Sequence, residues 1–177
     1  MKLIERKEYM EFLKRHKDRN LIKVVSGVRR CGKSTLFELF QKDLLEQGVP
    51  KENIISINFE DLAFENLQEY HALYQYVTLH MQPTGINYIF LDEIQHVPDF
   101  EKAVDSLFIK ENADIYITGS NAYFMSGYLA TLLSGRYVEL KMLPLSFQEY
   151  YEASSLKANH SLQEIYEHYI TESSFPY

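Results

Sequence analysis

The sequence predicts an α/β domain built on a mainly parallel five-stranded sheet, and three observations carry that prediction. Strand-like and helix-like stretches alternate along the chain, the pattern of strands joined by helical crossovers. The apolar run "NYIFL" is unbroken and suits a strand covered on both faces, whereas "NIISINF" alternates and suits a strand near a sheet edge. A glycine-bounded loop stands between a strand pattern and a helix pattern in the first fifth of the chain.

Each element has its own signal. A short amphipathic helix opens the chain around Tyr9, Met10 and Leu13. "LIKVVSG" reads as the first strand; Leu36, Phe37, Phe40 and Leu44 then recur at helical spacing until Gly48 and Pro50 stop the helix. In "NIISINF", Ile55, Ile57 and Phe59 share one face while Ser56 and Asn58 share the other. Leu67, Tyr70, Tyr74, Val77 and Met81 form the next helical stripe, ahead of "NYIFL". Asp99 is placed to cap a helix presenting Phe100, Ala103, Val104, Leu107 and Phe108. "DIYIT" is the fourth strand and "YVELKML" the fifth, with one helix between them. Beyond Pro144 only helical patterns remain, interrupted by a polar loop from Leu156 to Ser161. The chain thus divides into an N-terminal helical segment at 1–20, a core at 21–145 and C-terminal helices at 146–177.

Composition narrows the class. A chain of 177 residues, 46% hydrophobic and 24% charged, is long enough to bury a substantial core as one domain. A net charge of -7 argues against a non-specific grip on nucleic acid through this segment, although Arg29, Arg30 and Lys33 form a local basic patch. Charges interrupt every apolar pair of "MKLIERKEYM", which is no signal peptide, and no run is long enough to span a bilayer. A cytoplasmic location is expected. The single cysteine, Cys31, cannot form an internal disulfide or a zinc cluster, and the six histidines lack metal-ligand spacing.

The strongest chemical signal is "GVRRCGKST", Gly27 to Thr35, which matches G-x-x-x-x-G-K-[ST] between a strand and a helix. At an average glycine usage of roughly 7%, a chance match in a chain this long is on the order of one in a hundred, and the strand-loop-helix context lowers it further. Gly27 and Gly32 let the backbone turn so that successive N–H groups, through Arg30 and Cys31 to Thr35, point at phosphate oxygens. Lys33 is placed to reach the β- and γ-phosphates, and the Ser34 hydroxyl to ligate Mg²⁺. The competing reading is a glycine-rich turn that binds nothing. Cys31, within this loop, sits among cationic groups that would lower its pKa.

Such a site needs a carboxylate at a neighbouring strand end. "INFED" offers Glu60 and Asp61; "YIFLDE" offers Asp92 and Glu93 and is preferred because its unbroken apolar run implies a central strand. Asp92 then serves the metal and Glu93 polarises a water. Ser120 and Asn121, after "IYITG", either sense the γ-phosphate or cap the next helix; both uses call for the same residue types. Asn58 is a candidate to hold Glu93 away from water. Arg29 and Arg30 are expected to be solvated or ion-paired, and Ile4, Arg6 and Tyr9 are candidates to meet a base. Arg136, on the bend of "LLSGRYVEL", is either a surface charge tying a turn or a finger for a γ-phosphate.

With these residues in place, "VVSGVRRCGKSTL", "YIFLDEIQ", "YITGSNA" and "LSGRYVELKMLPLSFQEY" together resemble the P-loop ATPases of the AAA+ class, and in detail a bacterial and archaeal family called AAA_14. The resemblance runs from about Ile4 to Tyr151. It implies a P-loop NTPase three-layer sandwich with sheet order 5-1-4-3-2 and "NIISINF" at the edge. It implies Walker A at Gly27 to Thr35, Walker B at Asp92 and Glu93, a sensor-like Ser120 or Asn121, and an arginine at 136 reaching a neighbouring subunit of a homo-oligomer. Members of the family usually continue into a second, C-terminal domain, so "SSFPY" reads as the approach to a further domain or partner.

Three functions follow. The leading one is Mg²⁺-dependent binding and hydrolysis of ATP coupled to conformational change. A small-molecule kinase needs an acceptor pocket and an arginine-rich lid, and the Asp-Glu pair argues for water as acceptor instead. A slow nucleotide-dependent switch or scaffold uses the same residues with the bound state as its output.

Overall fold

The computed structural model describes residues 6–120, 124, 131, 133–154 and 159–172. The described elements run α1 (Lys7–His16), β1 (Ile22–Gly27), α2 (Lys33–Glu46), β2 (Ile54–Asn58), α3 (Tyr70–His80), β3 (Asn87–Asp92), α4 (Phe100–Phe108), β4 (Ala113–Ser120), β5 (Tyr137–Met142), α5 (Phe147–Ala153) and α6 (Leu162–Glu172). The five strands form one sheet in the order β2-β3-β4-β1-β5, every pair parallel. Read from the other edge this is the expected 5-1-4-3-2.

Burial on both faces explains the sequence pattern. In β3, Ile89 and Leu91 pack with β1, β2 and β4 residues against α3 and α4, while Tyr88 and Phe90 face α1 and α2. Every residue of β1 and β3 is buried, and β2, paired on one side only among the described residues, buries Ile55 and Ile57 but exposes Ser56. On the α2 side, Phe37, Phe40, Phe90 and Tyr116 interlock, with Phe90 and Tyr116 stacked at 4.8 Å and Phe37 edge-on to Phe90 at 5.2 Å. Aromatic pairs in these offsets add to simple area burial.

Two details differ from expectation. Asp99 stands at the N-cap position of α4 but with a left-handed backbone (φ 56°) and no capping bond from its side chain to the helix backbone; its carboxylate turns to the Lys102 ammonium at 2.8 Å instead. Leu67 closes a separate 3₁₀ turn, Leu62–Leu67, so α3 begins only at Tyr70, where Glu69 caps it through the N–H groups of His71 and Ala72. The β4–β5 connection, including Asn121, lies largely outside the described residues.

At the amino ends of the strands sits a buried ion pair. Lys23 and Asp114 are 0% and 3% exposed and in direct contact; Asp114 also accepts from Tyr116 Oη at 2.8 Å and from the Asp18 N–H at 3.0 Å. Lys23 Nζ donates further to the Arg19 carbonyl at 2.8 Å. Burial moves both groups toward neutrality, raising Asp114 and lowering Lys23, and their mutual attraction opposes this.

Candidate functional site

The carboxyl ends of the strands bring Gly27, Asn58, Asp92 and Ser120 to one edge of the sheet, with Gly27 in register with Ser120 and Asn58 with Asp92. Side chains at this edge gain a common opening because no strand continues past it.

The loop from β1 into α2 owes its path to its glycines. A Cβ on Gly27 would stand 2.6 Å from both Cys31 Sγ and the Met142 carbonyl oxygen, so the loop can close only on a residue without one. Gly32 takes φ 98° at the N-cap of α2, a conformation glycine adopts without strain. Among the described residues no side chain caps α2, and no acidic residue occupies its first turn. Its free N–H groups and dipole therefore point, with Gly32, Lys33, Ser34 and Thr35, into a cavity of about 420 Å³ that Arg29, Arg30, Glu60 and Glu93 complete. This is the local structure that holds anions.

The acidic strand end faces it. The Thr118 hydroxyl hydrogen-bonds Asp92, and the Ser34 hydroxyl stands near enough to favour the charged form of the same carboxyl, which is nonetheless pushed up by burial, the largest influence on it. Thr118 Oγ1 also accepts from the Glu93 N–H at 2.8 Å, so one hydroxyl of β4 fixes both acidic residues at the end of β3. Glu93 has a left-handed backbone (φ 54°). Its carboxylate lies 3.1 Å from Lys33 Nζ, with the two side chains 10% and 3% exposed. Lys33 Nζ also donates to the carbonyls of Gly27 at 3.4 Å and Val28 at 3.3 Å.

The structure therefore brings Gly27, Arg30, Gly32, Lys33, Ser34, Thr35, Asp92 and Glu93 to one place, and Ser120 to the end of the strand beside β1. Both acidic stretches reach the area: Glu60 lines the cavity and pairs with Arg29 at 2.9 Å, while Asp61 accepts from the Ala63 N–H to start its own turn. Arg29 is thus ion-paired and exposed, as its loop position predicts.

Other placements depart from expectation. Asn58 accepts from the Glu60 N–H at 2.9 Å and so serves its own turn, not Glu93. Cys31 is fully buried, and that burial raises its thiol pKa against the pull of Lys33 and Arg6; the expectation of a lowered value fails because desolvation outweighs the nearby cations. Arg136 is exposed at the amino end of β5, its guanidinium 5.7 Å from the centre of the Phe108 ring, and its carbonyl accepts from the N–H of Ile22 at the start of β1. The length of β1 separates it from the loop of its own chain, about 16 Å at the usual rise.

Arg6 has more to do than sequence reasoning assigned. It pairs with Glu149 at 2.7 Å and donates to the carbonyls of Leu143 at 2.6 Å, Pro144 at 3.3 Å and, within the loop, Cys31 at 3.5 Å, over the Tyr9 ring. It is a strap across α1, the loop and α5. Ile4 lies outside the described residues.

The donor set suits a small hard cation. Ser34 and Asp92 put a hydroxyl and a carboxylate oxygen side by side, the oxygen ligands Mg²⁺ takes while keeping several waters. Among the described residues no group of three or more His, Cys, Asp or Glu forms an all-protein metal cage.

A parallel sheet in this order, with a glycine-bounded loop opening onto an uncapped helix beside a buried Asp-Glu pair, defines a nucleotide-binding P-loop ATPase domain. Residues 19–151 match the AAA domain family AAA_14, and the chain belongs to that family. It is 41% identical over 176 residues to an uncharacterized protein of Haemophilus influenzae, covering 98% of this chain and 44% of that one. It is 36% identical over 132 residues to an uncharacterized protein of Methanocaldococcus jannaschii, covering 74% and 28%. The chain thus spans less than half the length of these curated relatives. Its fold is similar to that of a Walker-type ATPase of Pyrococcus abyssi, with a TM-score of 0.61 at 19% identity over 93% of this chain and 62% of that one. No helix among the described residues is long and apolar enough to cross a membrane.

Proposed function

We propose that this domain binds ATP with Mg²⁺ at the loop, hydrolyses it with water as the acceptor, and transmits the event through the segments strapped to the loop. The observation that carries the reading is the pairing of Ser34 with Asp92 beside that of Lys33 with Glu93, in front of the uncapped end of α2. In this reading the N–H groups from Gly32 to Thr35 bind phosphate oxygens and Lys33 moves from Glu93 to the β- and γ-phosphates. Ser34 and Asp92 would hold the metal. Bound Mg²⁺ would supply charge neutralisation at the phosphates. Glu93 accepts the proton of the attacking water.

Ser120, in register with Gly27, or the following Asn121 senses the γ-phosphate. Arg136 acts on a neighbouring subunit's site in a homo-oligomer; its exposure and its separation from its own loop support action between chains and not within one. The strap from Cys31 through Arg6 to Glu149 supports coupling to α5 and to whatever follows in a longer protein or a partner.

Release of inorganic phosphate from ATP with no added acceptor tests this. The wild type should show it in the presence of Mg²⁺ and K33A should not. Equal rates in the two proteins would sink the reading, and turnover only with an added acceptor would point to a kinase. A slow switch is the second reading. It draws on the Lys33–Glu93 pair, which phosphates must break before Glu93 is free.

A further inference from the structure

Glu93 is held from two sides. Lys33 takes Oε1, and the Gln95 side-chain Nε2–H donates to Oε2. Gln95 stands in a short 3₁₀ turn, Ile94–His96, directly after the left-handed Glu93, and the His96 N–H returns to the Glu93 carbonyl at 3.2 Å. The turn is what points a side chain two residues on back at the carboxylate.

The other end of the Gln95 amide argues that this contact is selected. Its Oε1 is buried and has no hydrogen-bond partner among the described residues. A buried amide oxygen is normally satisfied. Turning the amide over would free that oxygen but set it against the Glu93 carboxylate, so the orientation follows from the need to donate to Glu93. The neighbouring strand makes room for it: a Cβ on Gly119 would lie 2.9 Å from Gln95 Oε1 and 2.2 Å from the Phe124 ring.

Resting on the reading of Glu93 as the base of an ATP site, we propose that Gln95 is the positioning residue that orients this carboxylate for reaction. When Lys33 leaves Oε1 for phosphate, the Gln95 bond keeps Oε2 fixed. Oε1 is then presented to the cavity as the acceptor of the water proton. Without Gln95 the carboxylate loses its second anchor and follows Lys33 or rotates away. Misplacement of a reacting group by ~1 Å can cost about 10²-fold in rate.

The test is a double-mutant cycle on the full chain, read by single-turnover and steady-state ATP hydrolysis, with binding of a fluorescent ADP as the control for an intact site. Q95M keeps the side chain's length without its donor, and Q95E replaces the donor by a like charge. Each should lower kcat by about tenfold or more with KM for ATP and ADP binding little changed. In an E93Q background Q95M should lower the rate no further, because a residue that acts through Glu93 has nothing left to act on. Wild-type kcat in Q95M, multiplication of the two effects in the double mutant, or loss of ADP binding in step with kcat in both single variants each overturns the proposal. Turnover in wild type no faster than in K33A overturns this proposal and the ATPase reading together. Turnover that depends on Lys33 and Glu93 but not on Gln95 overturns this proposal alone.

Discussion

Replacing Glu93 with glutamine should separate binding from turnover. In the wild type Lys33 Nζ and Glu93 Oε1 lie 3.1 Å apart, both nearly buried. At an effective dielectric of about 20, two unit charges at that distance attract by about 5 kcal/mol, which is a ceiling for what phosphates must overcome in drawing Lys33 away. Most of it returns when Lys33 meets the phosphates. What survives is the difference between a hydrogen bond to a charged group, about 1.5–3 kcal/mol, and one to a neutral amide, about 1 kcal/mol. E93Q also removes a like charge from beside the nucleotide. E93Q should therefore bind ATP roughly tenfold more tightly, since about 1.4 kcal/mol is a factor of ten. Its kcat should fall by about 10² to 10⁴, the usual worth of a general base. Titration with a fluorescent ATP analogue and a phosphate-release assay, both with Mg²⁺, give the two numbers. Affinity no tighter than wild type would show that Lys33 is not contested between Glu93 and phosphate; unchanged turnover would remove Glu93 as the base.

Three further outcomes follow from the same geometry. R136A should keep ATP affinity and lose turnover, and an equimolar mixture with E93Q should recover about a quarter of the wild-type rate, because about a quarter of head-to-tail interfaces then join an intact Glu93 to an intact Arg136; a mixture no faster than the mean of its parts, or an R136A at wild-type rate, refutes the trans role. D114N leaves the Lys23 ammonium buried without its counter-charge and should cost about 3–5 kcal/mol in urea unfolding, with K23M/D114N recovering much of it; simple additivity would mean that the pair is not coupled. Burial opposes the charge on Glu149, but hydrogen bonds from Arg6 and Ser146 outweigh it and hold the carboxyl below the usual glutamate value of 4.5. The stability this supplies is complete above that value and is lost as pH falls through the lower folded-state value, so E149Q should flatten the acid limb of thermal stability measured from about pH 7 to 3.

Much of the architecture was legible because it rests on local pattern. Unbroken against alternating runs distinguished β3 from β2, and strand-end position paired Asp92 and Glu93 with the loop at Gly27 to Thr35. What escaped depends on register and on contacts distant in sequence. Thr118 touches Asp92 and the Glu93 N–H only because β4 lies beside β3 in one register, and a strand-end threonine alone does not announce this. Lys23 and Asp114, 91 positions apart, each look like a solvent-facing charge until β1 and β4 are paired. Gln95 gave a faint signal, an amide two residues after Glu93, but its aim depends on the left-handed backbone of Glu93 and the 3₁₀ turn that follows it. Asn58 misled because strand-end position says nothing of competition from its own backbone, which offers the Glu60 N–H first.

The strap at Arg6 also sets what this position tolerates. One planar guanidinium serves a carboxylate on α5, two carbonyls leaving β5 and one carbonyl of the loop, with a tyrosine ring under its face. A lysine carries the same charge, but as a single ammonium it cannot fan donors to acceptors spread around a plane, nor stack on the ring as well. Exchanging one basic residue for the other here would conserve charge and still untie the loop from both ends of the domain.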